Sequence, residues 1–248
     1  MLLTDGELRT ILKNHRALVE DSHVVFPSHN GHGDHGSDFI DVSRLVPHPQ
    51  VLERLCHDLA ARFAHDRIDS VVSAQGSAIP IIQWMATHLA GWNGHPVHAI
   101  TPDLYVNGWS FRRHQLPMIT GRRVLIVDDV VHNGCTATHL INLVTETGGT
   151  IVGVGAFCNR ERVNAQGLKV PKLIALWNLN TPTWKYDGCP SCRLWIPLST
   201  DGGATNEFIS FMRGEGRWFR CRECDRFGPV FGGDRNCGHC HSTNIVAT

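Results

Sequence analysis

The chain has 248 residues, 42% of them apolar, enough to bury a sizeable core in one large domain with a small appendage. Lys plus Arg and Asp plus Glu both number 23, so the overall charge gives no pull toward nucleic acid or a membrane surface, and any polyanion site must be local. The N-terminal segment has acidic residues and no long apolar core, and no later run approaches ~18 consecutive apolar residues, which predicts a cytoplasmic protein with no membrane contact.

Thr4 and Glu7 have capping-box spacing ahead of Leu8, Ile11, Leu12 and Leu18, which predicts an N-terminal amphipathic helix. Residues 27–37, PSHNGHGDHGS, lack apolar periodicity and are dense in turn formers, so they read as a loop. His29, His32 and His35 crowd it, but without helical spacing a solvated loop is favoured over a metal site. Leu52, Leu55, Cys56, Leu59, Ala60 and Phe63 repeat at three and four, predicting a helix over about 49–64.

The pattern then changes. Short β-branched runs at 70–73, 97–100, 124–128, 151–157 and 173–177 alternate with helical stretches, which predicts an α/β fold: a mostly parallel sheet with helices on both faces. Ligands of such sheets sit at the carboxyl ends of the strands.

Residues 123–138, RVLIVDDVVHNGCTAT, are the most informative. A buried-looking strand ends in Asp128 and Asp129, a turn spans 132–136, and a helix runs from near Thr136 through Leu140, Ile141, Leu143 and Val144 to a stop at Gly148. A helix N-terminus approached through Gly presents free N–H groups and a positive dipole end, which suits a monophosphate, with Asn133, Gly134 and Thr136 as the cradle. Two adjacent carboxylates would repel each other and that phosphate unless a cation or hydroxyl groups lie between, a requirement met by a ribose diol with Mg²⁺. Taken alone, the two aspartates also read as turn residues ending a strand.

Nine cysteines without a signal peptide, six of them in CxxC pairs, fit thiolate ligands in a reducing compartment better than a disulfide scaffold. Cys221 and Cys224, then twelve residues, then Cys237 and Cys240 have the spacing of a Cys₄ zinc ribbon holding one structural Zn²⁺. Composition shifts to Gly, Arg, Cys and aromatics after about residue 200, which places the domains at 1–200 and 201–248. Cys189 and Cys192 have no partner pair and read as a reduced structural turn, with a further site involving Cys158 or a His, or competition with the ribbon for its metal, as the alternatives. Cys56 and Cys135 read as small core or loop residues.

Residues 124–136, VLIVDDVVHNGCT, resemble the signature by which type I phosphoribosyltransferases bind 5-phosphoribosyl 1-pyrophosphate (PRPP). The resemblance extends over roughly residues 18–200 and is nearest to orotate phosphoribosyltransferases. Residues 23–49 look like their N-terminal segment, VVSAQGSAIPI (71–81) like their pyrophosphate loop, and FCNRERVNAQGL (157–168) like the segment after their fifth strand. The resemblance implies that Asp128 and Asp129 hold the ribose hydroxyls and that His132, Asn133, Gly134, Cys135 and Thr136 hold the 5′-phosphate. It assigns the pyrophosphate to Ala74, Gln75, Gly76 and Ser77, which on their own read as a strand-to-helix turn. Arg160 matches the family arginine that contacts the orotate ring. The family's mobile basic loop falls between 101 and 123, where Arg112, Arg113 and His114 stand together, although the loop is shorter here. Pro27 stands where the family has a base-contacting Lys, and His132 where it has a small hydroxyl residue, so His132 could read another edge of a base.

The implied reaction displaces pyrophosphate at the anomeric carbon by a ring nitrogen of a nucleobase, with Mg²⁺ accompanying PRPP and a homodimer as the assembly. A runner-up reading is a PRPP- or nucleotide-binding regulator. Its ribbon would contact nucleic acid through Arg217, Arg220, Arg222 and Arg226 interleaved with Trp218, Phe219 and Phe227. Glu215, Glu223 and Asp225 dilute that patch, and the enzyme is favoured.

Overall fold

In a computed structural model of the protein, the residues described are 2–26, 33–74, 76–106, 108–160, 163–200, 203–229, 236–237 and 239–248. Pro27, His29, His32 and Gln75 lie outside them. Contacts divide the chain into two units, one made of 1–17 and 42–180, the other of 18–41 and 181–248.

The first unit is built on a five-stranded parallel sheet in the order Leu173–Asn178, Thr150–Asn159, Arg123–Val131, Ser70–Val72, His98–Ile100. These are the five runs expected from sequence. Val124, Leu125, Ile126 and Val127 are all fully buried, the unbroken apolar run that a central strand covered on both faces requires. Val124 and Ile126 join Val72, Val154 and Ala156 in a cluster with Ala137, Leu140 and Val144 of the helix Cys135–Glu146. Pro49–Ala61 and Ala78–Asn93 pack on each other and on the sheet strands.

The N-terminal helix Asp5–Asn14 is capped by Thr4, whose hydroxyl accepts from the Glu7 N–H while Glu7 accepts from the Thr4 N–H. Leu8 and Leu12 are buried. Leu18, expected on the same apolar face, lies beyond the helix end in the strand Leu18–Val19. The second helix stops at Ala61 rather than 64; Phe63 is buried from the turn that follows.

In the second unit, Leu18–Val19 pairs with Phe39–Ile40, and His35–Gly36 is the middle strand between Val24–Val25 and Thr183–Trp184. The expected loop over 27–37 is therefore corrected at its end: His35 and Gly36 are buried and paired on both sides, in a strand of two residues, too short to show a period. The helix Thr205–Gly214 contributes Phe208 and Met212 to a core with Val25 and Trp218. A second small sheet, Phe227–Pro229, Trp218–Cys221 and Ile245–Ala247, is antiparallel throughout. The boundary expected at residue 200 falls inside this unit. Among the described residues, no helix is long and apolar enough to cross a membrane.

Candidate active site and cysteine centre

The strand Arg123–Val131 carries Asp128 and Asp129 to its carboxyl end, where both are half-buried. The Asp129 N–H donates to Asp128 Oδ1 at 3.0 Å, and the Val130 N–H to Asp129 Oδ1 at 2.7 Å, so local backbone donors hold both carboxylates at the strand end. Burial, and then the Asp129 charge, push the Asp128 carboxyl well above the usual carboxylate range. The Ser77 hydroxyl donates to Asp129 Oδ2, tying the loop after Ser70–Val72 to the acidic pair. That loop turns through Gly76 at φ +90°, and the helix Ala78–Asn93 starts directly after Ser77.

Beyond Val131 the chain turns through Gly134 at φ +76° into Cys135–Glu146, where the first N–H groups have no intrahelical acceptor. Asn133 Oδ1 takes the Cys135 N–H at 3.0 Å, and the Gly134 carbonyl accepts from Thr138. A Cβ on Gly134 would stand 2.9 Å from Leu168 and 3.3 Å from Val163, so only glycine satisfies both the backbone angle and the space.

Arg160 follows Thr150–Asn159, is 4% exposed, and donates its backbone N–H to the Val131 carbonyl at 2.8 Å. The parallel sheet thereby sets Arg160 beside the entry to the 132–136 turn, although 28 positions separate it from His132 in sequence. Ala74, Gly76, Ser77, Asp128, Asp129, His132 to Thr136 and Arg160 thus all stand at the carboxyl ends of three adjacent strands.

The basic segment differs from a simple loop. It begins as a hairpin, Asp103–Tyr105 with Gly108–Ser110, and continues as a 3₁₀ helix Arg113–Met118. Arg112 is clasped by Asp103 through Nε at 2.6 Å and Nη2 at 2.8 Å, which holds the Asp103 carboxyl below its usual range. Arg113 and His114 are exposed. The hairpin's second strand packs on Cys135–Glu146, so the segment lies along the helix that follows the Gly134 turn.

In the second unit, Cys221, Cys224, Cys237 and Cys240 bring their sulfurs within 4.8 Å of one another, with Cys221 to Cys240 at 3.5 Å and Cys224 to Cys237 at 3.6 Å. This cluster could hold a metal ion. Cys221 ends one strand of the small sheet, and Trp195 and Phe219 back the cluster. Cys189 and Cys192 are not an isolated turn: they meet His23 and His35 in a second buried group. The arrangement matches the alternative of a further site with a His rather than the structural turn, without Cys158; spacing could not say which histidines, because they stand more than 150 positions away and His35 falls in a stretch that reads as loop. Cys158 is buried in its own strand, its thiol pushed up to about 12 by burial.

The fold with this site defines a class: it is the type I phosphoribosyltransferase fold. Solved structures with it include UMP synthase of Leishmania donovani, at a TM-score of 0.55 and 20% identity over 71% of this chain and 37% of that one. Another is orotate phosphoribosyltransferase of Mycobacterium tuberculosis H37Rv in complex with Fe(III) dicitrate, at 0.52 and 19% over 69% and 96%. Curated relatives narrow the comparison to one activity. Orotate phosphoribosyltransferase of Caldicellulosiruptor saccharolyticus is 29% identical over 192 residues, 77% of this chain and 93% of the relative. That of Desulforamulus reducens is 27% identical over 171 residues, covering 68% and 84%. No family model matches the chain.

Proposed function

We propose that this chain is a PRPP-dependent phosphoribosyltransferase of the orotate type, joining the 5-phosphoribosyl group to a pyrimidine base with release of pyrophosphate. The observation that carries the reading is the acidic pair Asp128 and Asp129 ending a buried parallel strand directly before a glycine-turned helix N-terminus. The relatives of that activity span most of the chain.

On this reading the N–H groups at 134–136 and the helix dipole bind the 5′-phosphate, with His132 and Asn133 at its edge. The carboxylates of Asp128 and Asp129 accept from the ribose hydroxyls and face the positive charge that develops on the sugar as the bond to pyrophosphate breaks. Ala74, Gln75, Gly76 and Ser77 take the pyrophosphate. The oxygen-only donor set of Asp128, Asp129 and Ser77 suits Mg²⁺, which would accompany PRPP and neutralise the leaving group. Arg112, Arg113 and His114 add positive charge, for which Arg112 must exchange Asp103 for the pyrophosphate. Arg160 holds the base from the next strand, and a guanidinium fork suits a planar anionic ring.

The test is formation of orotidine 5′-monophosphate from orotate and PRPP, run beside uracil, adenine, guanine and hypoxanthine. Turnover with orotate is expected. Turnover with another base alone would keep the transferase and discard orotate, a reading favoured by Pro27 and His132 at positions where the family has other base contacts. PRPP binding without turnover of any base would favour a binding regulator, to which the shortened basic segment points.

The division proposed is a catalytic part at 1–200 and a ribbon at 201–248, in a cytoplasmic homodimer. In the ribbon, Cys221, Cys224, Cys237 and Cys240 hold a structural Zn²⁺. A small antiparallel sheet of three short strands has little apolar area to bury, and four thiolates on one ion supply the missing folding free energy. Cys221→Ser with Cys240→Ser is expected to remove one zinc per chain, read by metal analysis. Unchanged zinc content would refute the ribbon.

A further inference from the structure

We propose that His23, His35, Cys189 and Cys192 form a second zinc site, separate from the ribbon. All four are buried: His23 is 2% exposed, His35 0%, Cys189 1% and Cys192 0%. Their donor atoms lie within 4.8 Å of one another. His23 Nε2 is 3.0 Å from His35 Nδ1 and 3.5 Å from each sulfur, and Cys192 Sγ is 3.2 Å from His35 Nδ1. A tetrahedral ion with bonds of about 2.0–2.1 Å to nitrogen and about 2.3 Å to sulfur sets its ligands apart by about 3.3 Å for two nitrogens and about 3.6 Å for nitrogen and sulfur. The observed separations are those edges, slightly contracted.

Hydrogen bonding alone satisfies these groups poorly. His23 Nδ1 is 2.8 Å from the Ile196 carbonyl, an acceptor only, so that nitrogen carries the proton and, in the neutral ring, Nε2 presents a lone pair. One lone pair then faces two thiols and a second imidazole, of which it can serve one. A single dication serves all four, and the carbonyl bond to the far side of His23 is the orienting partner that metal-bound imidazoles have. Two soft sulfurs and two imidazoles in a tetrahedral, dry setting select zinc.

The backbone prepares each ligand. His35 is fixed in the middle strand, paired to Val25 and Trp184, and His23 stands one residue before the strand Val24–Val25. Cys189 caps the short helix Pro190–Arg193, and Cys192 sits one turn on, the usual bite of a CxxC pair. The ion would therefore staple residues 18–41 to residues 181–196 within one unit. That closes a loop of more than 150 residues, a role in folding that holds whatever the catalytic activity.

The intact protein is expected to carry two zinc ions per chain, with X-ray absorption at the zinc edge reporting two nitrogens among eight ligands. Cys189→Ser with Cys192→Ser should leave one zinc in an all-sulfur shell. Should that variant fail to fold, the absorption spectrum of the unaltered protein still decides. One zinc with only sulfur neighbours overturns the proposal and keeps the ribbon. One zinc with a mixed shell supports it and removes the ribbon's metal, and a zinc-free protein overturns both.

Discussion

Asp128→Asn with Asp129→Asn is expected to weaken PRPP binding by roughly 10- to 100-fold while the ligand-free protein becomes more resistant to heat. The loss follows from exchanging a charged acceptor for a neutral amide oxygen on a hydroxyl donor, a difference of about 1 kcal/mol at each of the two positions. The gain follows from the raised Asp128 carboxyl, disfavoured first by burial and then by the charge of Asp129. A carboxyl raised in the folded state stabilises the fold below its ordinary value of about 3.9, and that contribution is lost as pH rises through the raised value. At neutral pH the pair therefore costs the empty protein stability, which Asn restores at roughly 2–4 °C of melting temperature for each kcal/mol released. The advantage should shrink as pH falls toward the ordinary carboxylate range, because Asp128 is then protonated in the unaltered protein too. Calorimetry with PRPP and melting curves across pH check both halves. Undiminished affinity in a folded double variant would remove the pair from the site.

Arg160→Ala is expected to cut turnover by roughly 30- to 150-fold, the loss of a buried charged contact of about 2–3 kcal/mol, with PRPP affinity changed far less. It follows Thr150–Asn159 and is bound through its backbone to Val131, beside the start of the 132–136 turn; the base role proposed for it predicts a loss in turnover that the PRPP affinity does not share. Arg160→Lys keeps the charge and much of the bulk but not the fork, so it should recover stability without recovering rate. Equal losses of PRPP binding and turnover would move Arg160 from the base to the ribose phosphate.

The sheet was legible because buried parallel strands are unbroken apolar runs, and 124–127 shows this most clearly. The aspartates and the turn after them were legible because strand, carboxylates, glycine and helix start follow one another in a single string. What depended on distant pairing was not. His35–Gly36 is two residues long, too short for a period, and its buried neighbours come from both ends of the unit. The His23, His35, Cys189 and Cys192 group has half its ligands in a CxxC pair that spacing alone leaves without a partner. The hairpin at Asp103–Tyr105 and Gly108–Ser110 did carry a turn signal, the dipeptide at 107–108, but one residue out of register: Tyr105 pairs with Gly108, which opens the second strand rather than lying in the turn. Its consequence, the clasp of Arg112 by Asp103, needs the hairpin's register to be known.

The second unit is assembled from residues 18–41 and 181–248, with the whole parallel sheet encoded between them. During synthesis, the early segment emerges with its own short pairings, 18–19 with 39–40 and 24–25 with 35–36, long before the residues from 183 onward that complete its unit, while the sheet's own strands leave the ribosome in succession. His35 and Val25, already opposite each other, must therefore wait for the second strand partner Trp184 and for the cover that Phe208 provides. A ribosome stalled near residue 180 would hold residues 18–41 without the segment that completes their unit, a species prone to capture by chaperones.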